Sequence, residues 1–148
     1  MKGDKKMTAN QLSVFIENRK GRLGEVLHVL KENDVNIFSI SLADTTEYGL
    51  LRLIVNDAEK GREVLLAAGF SAMITKVLII KVPHVAGSLQ KILTLVADKG
   101  VNIEYMYGLS VEAEDASIVM KTNDLDVAIE VLKEGKIETM TNEEIAAL

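Results

Sequence analysis

Two short segments of this chain each place a glycine immediately before a predicted amphipathic helix. They are Asn18-Arg19-Lys20-Gly21-Arg22-Leu23 and His84-Val85-Ala86-Gly87-Ser88-Leu89. A glycine lets the backbone approach a ligand closely, and the first amides of a helix have no partner inside the helix. Because these amides lie at the positive end of the helix dipole, such a segment is suited to binding a carboxylate. A glycine at a strand-to-helix turn also serves simply to make the turn.

Both segments belong to an internal repeat that extends over most of the chain. Residues that recur 66 positions later include Gly21, Leu23, Leu27, Val35, Asn36 and Ile37, which return as Gly87, Leu89, Leu93, Val101, Asn102 and Ile103. Farther along, Asn56, Asp57, Glu63, Val64 and Leu65 return 67 positions later as Asn123, Asp124, Glu130, Val131 and Leu132. A repeat of this length indicates a duplicated domain. We expect one domain at residues 7–76 and a second at 77–148.

Each half predicts the same order of elements, β-α-β-β-α-β. Strands are expected at residues 12–16, 38–42, 50–55 and 72–75, and again at 77–82, 103–109, 116–121 and 136–141. The first helix of each half carries apolar residues at helical spacing, and Asn56 with Glu59 resembles a capping box for the second helix, as Asn123 with Asp126 does in the other half. Residues 73–82 run on without a linker, which favours one long strand that passes from the first half to the second. The predicted fold class is α+β, with two ferredoxin-like units packed side by side.

Composition excludes several classes of function. The net charge is −5, and the imbalance lies in residues 77–148, which hold 6 Lys or Arg and 12 Asp or Glu. An acidic chain with three Tyr, three Phe and no Trp lacks the basic field and the aromatic platform of nucleic-acid binding. Without an apolar run of transmembrane length or a signal peptide, we expect no membrane association.

Nothing in the sequence indicates catalysis or a cofactor. The absence of cysteine excludes disulfides, thiolate catalysis and cysteine-zinc sites, and is compatible with a reducing cytoplasm. The two histidines, His28 and His84, offer no metal-ligand spacing. No phosphate-binding loop or dinucleotide-binding motif is present. We therefore expect a cytoplasmic protein that is not an enzyme and holds no metal or cofactor.

The repeated unit resembles the ACT domain. The resemblance is carried by Gly21-Arg22-Leu23 with Val35-Asn36-Ile37, and by Gly87-Ser88-Leu89 with Val101-Asn102-Ile103. ACT domains are small regulatory modules that bind amino acids and pair side by side, with the ligand between domains. The resemblance implies an amino-acid sensor that signals to a separate target enzyme. The open sheet edges favour a homodimer, although a pseudo-dimer within one chain would also suffice. The alternative is a docking module that dimerises, or binds an enzyme of amino-acid metabolism, without a ligand of its own.

The resemblance also implies which residues contact the ligand. In the first half these are Asn18, Arg19, Lys20, Gly21, Arg22, Leu23, Asn36, Ile37 and Ser39. In the second half they are His84, Val85, Ala86, Gly87, Ser88, Leu89, Asn102, Ile103 and Tyr105. Because the first loop is basic and the second is nearly neutral and apolar, we expect two inequivalent sites.

Several of these residues have a structural alternative that the sequence leaves open. Asn36 and Asn102 either contact the ligand or satisfy backbone groups where helix turns into strand. The basic side chains before the first helix form either a solvated patch or a seat for an anionic group. His84 and Tyr105 either face a ligand or serve as ordinary surface and packing residues.

Overall fold

The computed structural model of the chain describes residues 7–44, 47–109 and 115–148. The strands are β1 (Ala9–Glu17), β2 (Ile37–Asp44), β3 (Tyr48–Val55), β4 (Ser71–Val82), β5 (Ile103–Leu109) and β6 (Ala116–Thr122). The helices are α1 (Arg22–Glu32), α2 (Ala58–Ala67), α3 (Ser88–Asp98), α4 (Leu125–Glu134) and α5 (Asn142–Ala146). The predicted α+β class and the repeated β-α-β-β-α order are confirmed.

The chain forms two compact units. We call residues 10–75 with Ile145–Leu148 the N-terminal unit, and residues 7–9 with Lys76–Glu144 the C-terminal unit. In the N-terminal unit the strand order is β2-β3-β1-β4, and in the C-terminal unit it is β4-β6-β5. β4 crosses the boundary between the units, as the uninterrupted sequence predicted.

The N-terminal unit buries one face of its sheet under α1 and α2. Alternate residues of β1 and β3 point to this face, because successive side chains of a strand lie on opposite sides. Their core partners are Val26 and Leu30 of α1 and Leu65 of α2. The helical spacing read from the sequence therefore identifies the buried stripe of α1.

The C-terminal unit repeats this core with one difference at its end. Ile92 and Val96 of α3 pack with Ile129 and Leu132 of α4 against the sheet. The predicted fourth strand at residues 136–141 is a single bridge between Ile80 and Thr139, flanked by two backbone hydrogen bonds to β4. The expected terminal helical turn is α5, whose first turn is capped by the Thr141 hydroxyl, 3.2 Å from the Glu144 amide nitrogen.

The predicted capping box is wrong by one residue. Asp57 is the N-cap of α2, and its carboxylate accepts from the Lys60 amide at 3.1 Å. Asp124 caps α4 in the same way, with the Val127 amide at 3.1 Å. The side-chain oxygen of Asn56 instead accepts a hydrogen bond from the backbone amide of Asn36 at 2.8 Å.

None of the helices in the described ranges is both long enough and apolar enough to cross a membrane.

Thr122 offers a direct test of packing in the C-terminal unit. It is buried, and its hydroxyl oxygen has no hydrogen-bond partner among the described residues, whereas the equivalent position of the N-terminal unit is Val55. A buried hydroxyl without a partner lowers stability by roughly 1–3 kcal/mol. We therefore expect Thr122→Val to raise the free energy of unfolding by about 1 kcal/mol, measured by urea denaturation.

The matched control is Thr94→Val in α3. The Thr94 hydroxyl donates to the Gln90 carbonyl oxygen at 2.8 Å and is exposed. This variant should show no gain in stability. An equal gain in both variants would mean that the effect comes from valine in general and not from the buried hydroxyl at position 122.

Candidate functional site

The two helix-entry loops have the same backbone conformation. Gly21 and Gly87 are the N-cap residues of α1 and α3, and both have φ of 86° in the left-handed region. Each glycine lies inside a turn, which is closed by the Arg22 amide donating to the Arg19 carbonyl at 3.2 Å in one loop and by the Ser88 amide donating to the Val85 carbonyl at 3.1 Å in the other. The left-handed conformation is the physical reason for glycine at these two positions, because a Cβ there is disfavoured.

A glycine N-cap also leaves the start of the helix without a side-chain cap. Neither Gly21 nor Gly87 has a side chain that could accept a hydrogen bond from the first amides, in contrast to Asp57 and Asp124 at the other helices. Both helix entries thus keep amides at the positive end of a helix available to an anion.

Asn36 and Asn102 precede β2 and β5, where their backbones are held by asparagines from the next strand. The Asn36 amide donates to the Asn56 side chain at 2.8 Å, and the Asn56 amide donates back to the Asn36 carbonyl at 3.1 Å. Asn102 and Asn123 make the same pair of bonds, at 2.8 and 3.1 Å. The side chains that satisfy these backbone amides are therefore those of Asn56 and Asn123, and the repeat of both asparagines in the sequence was the signal that could have identified them.

The helix-entry loop and the start of the second strand lie at opposite ends of the sheet in each unit. In the N-terminal unit, Glu17 before the loop pairs with Tyr48, whereas Ile37 pairs with Val55. Tyr48 and Val55 are seven positions apart along β3, which is about 24 Å at 3.4 Å per residue. No single unit therefore brings residues 18–23 and residues 36–39 to one small ligand.

The C-terminal unit shows the same separation. Val82 pairs with Ala116 at one end of β6, and Ile103 pairs with Thr122 at the other.

Tyr105, two residues into β5, stacks on Tyr107 with ring centroids 6.4 Å apart. Ser39 of the N-terminal unit is buried in β2. Tyr105 and Ser39 thus belong to the strands and not to the loops.

A cavity of about 470 Å³ lies against the helix-entry loop of the C-terminal unit. We call it the loop cavity. Its lining residues are Val82, Pro83, His84, Val85, Gly87, Leu89, Gln90, Ala116 and Ile118. His84, Val85, Gly87 and Leu89 were among the residues implied by the resemblance. The five other lining residues, Val82, Pro83, Gln90, Ala116 and Ile118, were missed. Val82 and Pro83 directly precede the predicted loop, and β6 begins beside it because Ala116 pairs with Val82.

The remaining predicted residues of this loop lie outside the lining. Ala86 is exposed, and Ser88 lines a different cavity. The loop cavity therefore presents apolar walls from Val82, Leu89 and Ile118, with the His84 imidazole as a polar group. Such a cavity suits a small ligand with an apolar part and one polar or charged end.

In the N-terminal loop, one of the basic side chains is used for packing. The Arg22 guanidinium carbon lies 4.3 Å from the centroid of the Phe70 ring, and the same group pairs with the Glu25 carboxylate. Arg19 pairs with Glu17 at 3.6 Å and is exposed, as are Asn18 and Lys20. Leu23 is half-buried against the core. The two loops thus share a backbone but present different chemistry.

The comparisons agree with this architecture. A family model for an ACT domain pair matches residues 7–148. The crystal structure of protein BT0572 from Bacteroides thetaiotaomicron is 38% identical, covers 96% of this chain and 98% of its own, and superposes with a TM-score of 0.89. The regulatory subunit of aspartate kinase from Thermus thermophilus is 19% identical over 88% of this chain and 94% of its own, with a TM-score of 0.59.

The corresponding subunit from Thermus flavus is 18% identical over 88% of this chain and 97% of its own, with a TM-score of 0.55. No curated protein matches the sequence. The family model covers nearly the whole chain, and both halves carry the glycine helix entry and the asparagine pair. The chain therefore belongs to the ACT domain pair family.

Proposed function

We propose that this chain is a non-catalytic regulatory protein that binds a small amino acid and signals to a separate partner. Membership of the ACT domain pair family supports a regulatory, ligand-binding role. A chain with the same fold is the regulatory subunit of aspartate kinase from Thermus thermophilus, and a regulatory subunit of this kind supports the proposal of a separate partner. The composition without cysteine is compatible with the reducing cytoplasm, where we propose that the protein acts.

The observation that carries this proposal is the loop cavity beside Gly87. The amides at the start of α3 are suited to the ligand carboxylate, because they lie at the positive end of the helix. The walls formed by Val82, Leu89 and Ile118 would contact an apolar side chain. His84 is available for a hydrogen bond to a polar end of the ligand. We propose that the ligand ammonium is bound by strand carbonyls or by an asparagine side chain.

Signalling requires that the ligand shift the equilibrium between two conformations of the protein that bind it with different affinities. A ligand can change such an equilibrium only by the difference between its affinities for the two states. We propose that amino-acid binding favours the state that the partner recognises. Because the two helix-entry loops differ in charge and in packing, we expect unequal binding at the two units.

A thermal-shift screen against the twenty amino acids tests the proposal. A ligand present at about a hundred times its dissociation constant adds roughly 2.7 kcal/mol to the free energy of unfolding. For a chain of this length we expect a rise in Tm of roughly 5–10 °C with one or two amino acids. The chemically matched controls are the amides of the same amino acids, which lack the carboxylate and should give a smaller shift.

A second candidate function is a docking module, and the edge strand β2 favours it. β2 lies at the edge of its sheet, carries no charge between Phe38 and Ala43, and leaves Ile40 and Leu42 about half-exposed. An uncharged edge strand is a template for pairing with another chain. We propose that the protein is a homodimer in either function. A flat amino-acid screen, together with a dimeric mass from light scattering, would favour the docking module.

A further inference from the structure

A second cavity lies in the C-terminal unit, between α3 and residues 135–138. We call it the lysine cavity, and its volume is about 400 Å³. Ile92, Leu95 and Ile137 supply an apolar wall, and Lys91 and Lys136 line it with amines. An apolar surface beside two cationic side chains is suited to a ligand with an aliphatic body and an anionic head.

The charges around the lysine cavity leave two amines available. A third lysine, Lys81, is already occupied, with its amine 3.2 Å from the Glu144 carboxylate and 3.7 Å from that of Glu138. Among the described residues, no ion pair is recorded for Lys91 or Lys136. Asp115 also lines the cavity, so the three lysines are balanced by the carboxylates of Asp115, Glu138 and Glu144. The anionic head is favoured by the two amines on the cavity wall and not by a net positive charge.

The N-terminal unit shows how the same place is filled by the protein itself. Arg22 is the counterpart of Ser88, 66 residues earlier, and its side chain is only 19% exposed. The Arg22 guanidinium stacks on the Phe70 ring. The Phe70 amide donates a hydrogen bond to the Leu65 carbonyl oxygen at 2.9 Å, and the Ile137 amide donates to the Leu132 carbonyl oxygen at the same distance. Phe70 is therefore the counterpart of Ile137, a wall residue of the lysine cavity.

The ion pair of Arg22 indicates which charge a ligand of the lysine cavity should carry. Arg22 pairs with Glu25, and the residue 66 positions later is Lys91. In the C-terminal unit the position equivalent to Arg22 is Ser88, and the position equivalent to Glu25 is Lys91. The internal ion pair is thus replaced by a cavity with a lysine on its wall, which an anionic group would complement.

From this comparison we infer that the lysine cavity is a binding site for a small aliphatic carboxylate. The carboxylate lies between Lys91 and Lys136, and the aliphatic body packs on Ile92, Leu95 and Ile137. The site is separate from the loop cavity and does not depend on the proposed amino-acid binding. It gives one site per chain, because Arg22 and Phe70 occupy the equivalent place in the N-terminal unit.

The probe for this site is isocaproate, a branched aliphatic carboxylate without an ammonium group. Titrated into the isotopically labelled protein, isocaproate should shift the amide resonances of Ser88, Lys91, Gly135 and Lys136 in a saturable way. Isocaproamide has nearly the same shape without the charge, and it should bind at least about tenfold more weakly. Shifts that do not saturate, or that are absent at these four amides, would overturn the inference.

Removing the two free amines tests which groups bind the carboxylate. The double variant Lys91→Gln with Lys136→Gln should weaken isocaproate binding about tenfold or more. Both side chains are at the surface, so the fold should be retained. The control is Lys99→Gln at the end of the same helix and outside the cavity, which should bind as the parent protein does. Equal affinities of the double variant and the control would contradict the inference.

A filling variant introduces the ion pair of the N-terminal unit at the equivalent positions of the C-terminal unit. Ser88→Arg combined with Lys91→Glu recreates the pair of Arg22 and Glu25 and should abolish the isocaproate shifts. Retained amino-acid binding in the double variant Lys91→Gln with Lys136→Gln, neither of which lines the loop cavity, would separate the lysine cavity from the loop cavity. Unchanged isocaproate binding would show that the carboxylate lies elsewhere, and the inference would fail whatever the result of the amino-acid screen.

Discussion

Replacing Leu65 by alanine is expected to lower the free energy of unfolding by about 3 kcal/mol. Leu65 has no exposed surface, and it packs in the core of the N-terminal unit with Leu30 and Val55. Removing a buried leucine side chain loses both its transfer free energy and the contacts around the resulting cavity. Urea denaturation followed by circular dichroism measures the loss.

The neighbouring residue supplies a matched control for this prediction. Leu66 lies on the same helix but is 46% exposed, so Leu66→Ala should change stability by less than about 1 kcal/mol. Leu132, the counterpart of Leu65, is also wholly buried, and Leu132→Ala should cost about as much as Leu65→Ala. Similar losses for Leu65→Ala and Leu66→Ala would contradict the assignment of the α2 core face.

The fold was predictable because the duplicated pattern repeats every local signal. The apolar stripe that ends at Leu30 appears again at Val96, and the alternation that marks the second strand is bounded by asparagine in both halves. Two independent copies of a weak pattern restrict the element order more than either copy does alone. The strand that crosses from one half to the other followed from the missing linker.

The caps of the second helices were harder to assign, because two neighbouring residues fit the same rule. Asn56 and Asp57 are both good N-cap residues, and spacing alone favours Asn56 because of Glu59. The choice depends on a contact 20 residues away, since Asn56 is already bonded to the Asn36 amide. Local sequence cannot show that a side chain is in use elsewhere.

The difference between the two helix entries also depends on distant residues. Arg22 looks like part of a surface patch with Arg19 and Lys20 when it is read along the chain. Its packing on Phe70 joins residues 48 positions apart, and the loop cavity likewise depends on Ala116 and Ile118 from β6. Sequence could therefore locate both loops but could not show how each of them is packed.

Replacing Gly87 by valine is expected to weaken binding of the amino acid selected by the thermal-shift screen at least tenfold. A Cβ at Gly87 meets no atom within 4 Å, so the new side chain points into open space at the edge of the loop cavity. A branched side chain there would exclude a ligand from the α3 amides. We expect at least a tenfold weaker affinity, measured by isothermal titration calorimetry, which corresponds to about 1.4 kcal/mol.

Gly21→Val is the control that separates binding from backbone strain. Gly21 has the same φ of 86° and the same open surroundings, so both variants should lose about 1–2 kcal/mol of stability for a non-glycine residue in the left-handed region. Because Arg22 is packed on Phe70 at that loop, we expect Gly21→Val to weaken amino-acid binding much less than Gly87→Val does. Equal losses of affinity would mean that the two helix entries contribute alike, and the proposed inequivalence would then be wrong. Unchanged affinity in both variants would place the amino acid away from the helix-entry loops altogether.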